Sequence, residues 1–311
     1  MRTLALAAAL VALATPLAAQ EPAPLSPSQI VEAAPAADWV AIAPRDLVVM
    51  DLAPDRDGEP RRVVIQLMPE PFSQGWVDNI RTLIAARWYD GISVNRVQDN
   101  YVVQWGDANH DNPAADGEAK ALPDGLKVMD ESAYYGLRVI ARRIPREPAT
   151  RIDPYSEYYE YQAGMPFAGD ASGSWPVHCY GMVGVGRGLS PDTGSGAELY
   201  TVIGHAPRHL DRNIALVGRV IEGIEHLSSL PCGTGPLGFY ETAEERVPIS
   251  SVRLGDEVAG LPAFEYLSTE SETFARYAEA RANRRDEFFI RPAGGADICN
   301  IPVPVRRKAG S

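Results

Sequence analysis

A succession of short β-branched runs, broken by turn residues, most constrains what this chain can fold into. The runs are Asp46–Leu52, Arg62–Leu67, Val94–Val97, Tyr101–Trp105, Tyr180–Val185, Ala197–Ile203, Ile214–Val220 and Ile249–Leu254. The first two flank Asp55-Arg56-Asp57-Gly58-Glu59-Pro60, a turn signal that joins them as a hairpin. Two helical patterns fall among the runs. Phe72–Ala86 places Trp76, Ile80, Leu83 and Ile84 on one face, and Ile221–Leu227 reads as a short helix. Many strands with short links and two helices predict a mainly β fold, closed as an antiparallel barrel that leaves no exposed edge.

The chain has 311 residues, 45% of them hydrophobic and 23% charged, which suits one large or two small globular domains. A net charge of −12 repels phosphate backbones and anionic lipid, so nucleic acid and membrane surfaces are not expected partners. Residues 1–19 combine one basic residue, an apolar Ala/Leu/Val run and small residues near Ala19. They read as a secretory signal peptide, which makes the mature protein periplasmic or secreted. No later stretch approaches the ~20 apolar residues of a membrane span. Residues 20–45 are rich in Pro and Ala and read as a flexible lead-in. The barrel is expected over 46–258, with an enlarged, irregular middle segment over 108–178. That segment holds a helix-like Leu137–Arg143 and an aromatic run, Tyr155–Tyr161.

A C-terminal extension over 259–311 carries a helical pattern from Thr269 to Phe288 and an extended Ile301–Val305. An isolated helix of that length is marginal in water. Phe264, Tyr266, Phe274, Tyr277 and Phe288 are therefore expected to pack on the outer face of the barrel. Cys179, Cys232 and Cys299 permit one internal bridge and leave one thiol free. Cys232–Cys299 is the expected pair, because it would anchor the extension just after the last helix of the barrel. No C-x-x-C is present, so a thioredoxin-type redox site is not expected. No metal is expected either. His205 and His209 are closely spaced, but Pro207 between them argues against a helix presenting both.

The stretch Trp76-Val77-Asp78-Asn79-Ile80-Arg81-Thr82-Leu83, then Trp88-Tyr89-Asp90-Gly91, then Val94-Asn95-Arg96-Val97 and Tyr101-Val102-Val103-Gln104-Trp105-Gly106-Asp107 resembles the core signature of the cyclophilin family of peptidyl-prolyl cis/trans isomerases. In that family an N-F-x-x-L helix leads into a Y-x-G turn and an H-R-V/I strand. A Q-G-G-D run follows, its glutamine eight residues after the arginine. Arg96 and Gln104 stand at that spacing. Further on, Gly181-Met182-Val183-Gly184-Val185 stands where the family has a strand like S-M-A-N-A, and Ser195–Tyr200 where it has G-S-Q-F-F. His209-Leu210-Asp211-Arg212-Asn213 leads to Val217-Gly218-Arg219-Val220, where it has W-L-D-G-x-H-x-x-F-G-x-V. The resemblance covers roughly 46–256. It implies an eight-stranded barrel with two capping helices, a monomer, no cofactor, and proline-containing polypeptides as substrates.

The chemistry fits such a site. Resonance sets a barrier of roughly 18–20 kcal/mol to rotation about an X-Pro bond. A guanidinium that donates to the prolyl nitrogen stabilises the twisted state, with no nucleophile or metal. The resemblance implies that Arg96 has this role and that Gln104 orients it or binds the substrate backbone. It further implies a proline pocket formed by Tyr101, Val102, Val183, Gly184, Glu198, Tyr200, His209 and Leu210. Several positions depart from the family. Glu198 replaces a glutamine, Tyr200 a phenylalanine, His209 a tryptophan, Ile214 a histidine, and Asn95 the histidine before the arginine. Glu198 is thus expected either to pair with Arg96 or to compete for its donors. The altered wall also admits a second function, a non-catalytic barrel that binds proline-containing segments as a chaperone or assembly factor. Asp192-Thr193-Gly194-Ser195 matches an aspartic-protease D-T-G-S, but that chemistry needs a second carboxylate motif and the chain has none.

Overall fold

The computed structural model describes residues 24–110, 112–113, 115–136 and 153–308. The chain opens with helix α1 (Pro27–Glu32), whose start is fixed by a capping box between Ser26 and Gln29 with Pro27 in the first turn. Strand β1 (Trp39–Ala41) follows, then the hairpin β2 (Leu47–Leu52) and β3 (Arg61–Leu67). Asp55 holds the hairpin turn, its Oδ1 accepting the Asp57 and Glu59 N–H groups at 2.9 Å. Next come helix α2 (Gln74–Ala85), β4 (Ser93–Gln98) and β5 (Val102–Gly106). The middle of the chain gives β6 (Tyr158–Gln162), β7 (Met165–Asp170) and β8 (Gly173–Pro176). Then follow β9 (Met182–Val185), β10 (Leu199–Val202), β11 (Leu216–Glu222), helix α3 (Glu225–Ser228) and β12 (Val247–Leu254). The chain finishes with β13 (Phe264–Leu267), helix α4 (Glu272–Ala282) and β14 (Val305–Arg307).

Eight strands close into an antiparallel barrel in the order β10-β5-β4-β12-β2-β3-β11-β9, with β9 pairing back to β10. The principal core joins barrel residues such as Met50, Val63, Trp105 and Val183 to the apolar face of α2, where Trp76, Ile80, Leu83 and Ile84 are buried. These are the apolar positions the sequence pattern assigned to that helix. The second helix is shorter than its pattern: β11 runs on through Ile221 and Glu222, and α3 is a single turn.

Outside the barrel the sequence reading needs correction. Residues 24–45 are built into the fold instead of forming a flexible lead-in. α1 packs on α4, and β1 pairs with β13, which pairs with β14, so that one small sheet ties the two ends of the chain together. Single buried anchors, Ile30 and Trp39, do this without any periodic signal. The middle segment is not irregular throughout, since β6, β7 and β8 form a three-stranded sheet around buried Phe167 and Trp175. The expected Thr269–Phe288 helix shrinks to α4, capped by Ser271 and ended at Asn283, which leaves the helical region. Phe264, Phe274 and Tyr277 are buried and Tyr266 is partly so, whereas Phe288 is 83% exposed. The signal-peptide residues 1–19 and the helix-like Leu137–Arg143 lie outside the described residues.

The disulfide also differs. Cys179 bridges to Cys299, with Cα atoms 5.0 Å apart, and the free thiol is the exposed Cys232. The extension lies against β9 and β11, which brings Ile298–Val303 beside Cys179, three residues before β9. Cys232 sits elsewhere, on a loop fastened to β4 by the Gly233 N–H donating to the Val97 carbonyl at 2.9 Å. Spacing along the chain carries no trace of this return path.

Candidate active site

Neighbouring strands place the two polar residues of the signature opposite each other. Arg96 on β4 is paired in register with Gln104 on β5, next to a bulge between Val94 and Arg96. Bulges re-aim side chains. The Arg96 guanidinium donates through Nη1 to Gln104 Oε1 at 3.1 Å, through Nε to the Leu237 carbonyl at 2.7 Å, and through Nη2 to Gln98 Oε1. A guanidinium has five N–H groups, so two remain for a ligand. The group lies over the rings of Phe239, at 5.4 Å, and Tyr101, at 5.8 Å. Burial lowers its pKa, yet arginine stays charged in any relevant solution.

Arg96 and Gln104 open onto a cleft of about 390 Å³ whose apolar wall is made by Tyr101, Val102, Tyr200, Leu210, Ile214 and Phe239. Val102 and Tyr200 pack together with Val202 as a small cluster of their own, against Tyr101 and Ile214. Of the residues expected in the pocket, Val183 and Gly184 do not line it. Val183 is core, and Gly184 acts indirectly: a Cβ there would fall 2.3 Å from the Tyr200 hydroxyl. His209 is exposed and stacks on Tyr101 with ring centroids 6.3 Å apart, and it too does not line the cleft.

Glu198 lines the cleft, and its Oε1 accepts the Asp107 N–H at 2.9 Å, while the Arg96 donors are taken by Gln104, Gln98 and Leu237. Gly106 makes room for this carboxylate, since a Cβ there would lie 2.0 Å from it. The segment leading into β10 is pinned from α2. Trp76 Nε1 donates to the Thr193 and Gly194 carbonyls, Asn79 Nδ2 to Ser195, and the Tyr89 hydroxyl to Gly196. Asp192, of the D-T-G-S run, spends both oxygens on the N–H groups of Gly188 and Gly194. Burial raises its pKa, but these bonds outweigh that and hold it below the usual range, as for a turn-forming carboxylate.

The sequence reading missed the loop carrying Leu237 and Phe239 and the contact of Gln98 with Arg96. Gly235-Pro236-Leu237-Gly238 is a turn signature, but nothing in it announces a carbonyl aimed at an arginine. It also missed a buried chain behind Tyr200. The Tyr200 hydroxyl meets His178 Nε2 at 2.8 Å, and His178 Nδ1 meets Asp211 Oδ1 at 2.8 Å. Arg208 donates to Asp211 at 2.7 Å and to Asp153 at 2.8 Å. Asp211 only accepts, so Nδ1 carries the shared proton and Nε2 faces the hydroxyl. Burial lifts the Tyr200 pKa well above its ordinary value, so the hydroxyl keeps its proton and donates. The cleft therefore meets the ring of Tyr200 and not its polar end. Tyr200→Phe should leave kcat/KM on a short X-Pro peptide within about threefold, and lower stability by about 1–3 kcal/mol by orphaning a buried acceptor. Urea unfolding and a peptide assay check this. A tenfold loss of rate at unchanged stability would mean that the hydroxyl serves the substrate.

The family model described as "Cyclophilin type peptidyl-prolyl cis-trans isomerase/CLD" matches residues 57–254. Among solved structures, the crystal structure of cyclophilin AquaCyp293 from Hirschia baltica is similar over 86% of this chain and 92% of that one, at 23% identity and a TM-score of 0.60. A cyclophilin-type peptidyl-prolyl cis-trans isomerase from Cryptosporidium parvum aligns over 67% of this chain and 97% of its own, at 12% identity and a TM-score of 0.37. A search of curated proteins finds no match. With the barrel closed, the arginine and glutamine side by side over an apolar cleft, and the family model spanning most of the barrel, the chain belongs to the cyclophilin-type peptidyl-prolyl cis-trans isomerase family.

Proposed function

We propose that this protein catalyses cis/trans isomerisation of X-Pro bonds in exported polypeptides and so acts as a folding catalyst. The observation that carries the reading is Arg96: a guanidinium locked by three hydrogen bonds, with two N–H groups left over, beside an apolar cleft. In this reading the proline ring enters the cleft against Tyr101, Val102, Tyr200 and Leu210. An Arg96 N–H meets the prolyl nitrogen as its lone pair localises, and that interaction is stronger in the twisted state than in either planar one. Gln104 holds Arg96 through its Oε1, and its amide nitrogen serves the substrate backbone. No group is oxidised, reduced or transferred, so the cycle needs no cofactor. The signal-peptide pattern and the Cys179–Cys299 bridge support an exported, oxidising setting.

The second reading, a binding-only barrel, draws on the rebuilt far wall, where Glu198 and Ile214 replace the family's polar and aromatic-ring donors. A protease-coupled assay on a short X-Pro peptide separates the two. Catalytic amounts of protein should accelerate the slow phase in proportion to concentration. Saturable peptide binding with no acceleration would replace catalysis by binding.

A further inference from the structure

We propose that the cavity between the barrel and the C-terminal extension binds a small amphipathic carboxylate, an anionic head on an apolar chain. This cavity, of about 450 Å³, is separate from the Arg96 cleft, with which it shares no lining residue. Its volume lies in the range of small-molecule sites. Met182 and Arg219 on β9 and β11 form one side, Ile298, Ile301 and Val303 of the extension the other, and Arg281 of α4 also borders it. Two arginines and no Asp or Glu are among its described lining residues, in a protein whose net charge is −12.

Arg219 is the unusual group. It is 8% exposed. Its Nε donates to Gln66 Oε1 at 3.0 Å and its Nη1 to the Val303 carbonyl at 3.5 Å, but Nη2 has no hydrogen-bond partner. No carboxylate pairs with it among the described residues. Arg208 shows the ordinary solution for the charge: 4% exposed, it is neutralised by Asp211 and Asp153, although its Nη1 likewise has no hydrogen bond. A buried charge without a counterion is costly, and a partnerless N–H adds to that cost. Desolvation lowers the Arg219 pKa to about 10, so the charge persists at neutral pH. A carboxylate in the cavity beside Arg219 supplies the missing counterion, and a small rotation of the guanidinium would turn the enclosed Nη2 toward it as the missing acceptor, in the forked geometry that arginine favours. The aliphatic side chains opposite suit a hydrocarbon tail and give a polar solute nothing to bond.

Isothermal titration of the full-length protein at neutral pH tests this with sodium octanoate, 1-octanol and sodium acetate as probes. Octanoate should bind one to one with a dissociation constant below about 1 mM, as small ligands of this size reach. Octanol lacks the charge and acetate the chain, so each should bind at least about tenfold more weakly. Arg219→Met should abolish octanoate binding while isomerase activity on a short peptide is retained. Arg281→Ala, on the half-exposed border, should weaken octanoate about three- to tenfold, and it keeps the test open should Arg219→Met not fold. The assignment is overturned by three results: no saturable octanoate binding up to about 10 mM, octanol binding as well as octanoate, or wild-type affinity in Arg281→Ala or in folded Arg219→Met.

Discussion

Arg96→Ala is expected to lower kcat/KM on X-Pro peptides by about 100-fold or more, equivalent to about 2.7 kcal/mol of transition-state stabilisation. The guanidinium is a charged donor that lines the cleft beside its apolar wall, three hydrogen bonds hold it in place, and its two unused N–H groups are the ones it can give a substrate. The fold should persist. The lost bonds tether one side chain and one loop carbonyl, at about 1 kcal/mol each net. Arg96→Lys is the sharper control. A lysine keeps the charge but cannot hold Gln104, Gln98 and the Leu237 carbonyl together in one plane, so it should recover little of the rate. Circular dichroism melts would establish that both variants are folded. A folded alanine variant turning over near the wild-type rate would remove Arg96 from the chemistry.

The barrel and the centre of this site are legible in the sequence for the same reason. Both rest on short-range patterns: alternating β-branched runs, an amphipathic helix, and an arginine and glutamine on adjacent strands joined by a tight turn, where spacing fixes register. What was not legible rests on long-range returns of the chain. Leu237 and Phe239 reach Arg96 across 141 positions in one case, through a loop that carries only turn residues. Tyr200 reads as a plain substitution for phenylalanine, and its meaning comes from His178, Asp211 and Arg208, which are scattered in sequence and meet only in the fold. Glu198 shows the limit of charge reasoning. An acid that the family resemblance places in the pocket with an arginine suggests an ion pair, but the backbone N–H of Asp107 lies at 2.9 Å and the space above Gly106 receives the carboxylate. The order of residues 24–45 and of β13 is hidden in the sequence because it comes from their pairing with each other, β1 on β13, and neither strand carries a signal strong enough to be read alone.

Removing the Cys179–Cys299 bridge, by Cys179→Ala with Cys299→Ala, is expected to cost about 4–5 kcal/mol of stability. The sequence separation it closes is 120 residues, and the chain-entropy model gives that magnitude for loops of such length. The loss should exceed that of any single surface change because the bridge secures more than itself. Asp297 caps the turn holding Cys299, through Oδ1 and the Cys299 N–H at 2.8 Å, and its other oxygen lies 3.7 Å from Arg208 Nη1. Arg208 in turn neutralises the buried Asp153 and Asp211, and Asp211 holds His178, the residue next to Cys179. Freeing the extension therefore loosens the electrostatic support of the whole buried chain behind Tyr200. Cys232→Ala should be neutral within about 0.5 kcal/mol, since its thiol is exposed. Guanidinium unfolding of the three proteins under non-reducing conditions, with the double variant compared against reduced wild type, separates the possibilities. If Cys232→Ala destabilises as much as the double variant does, Cys232 takes part in the bridge and the Cys179–Cys299 pairing is wrong. If the double variant unfolds at the wild-type midpoint, the extension is held by its β1–β13–β14 sheet and the α1–α4 contact alone.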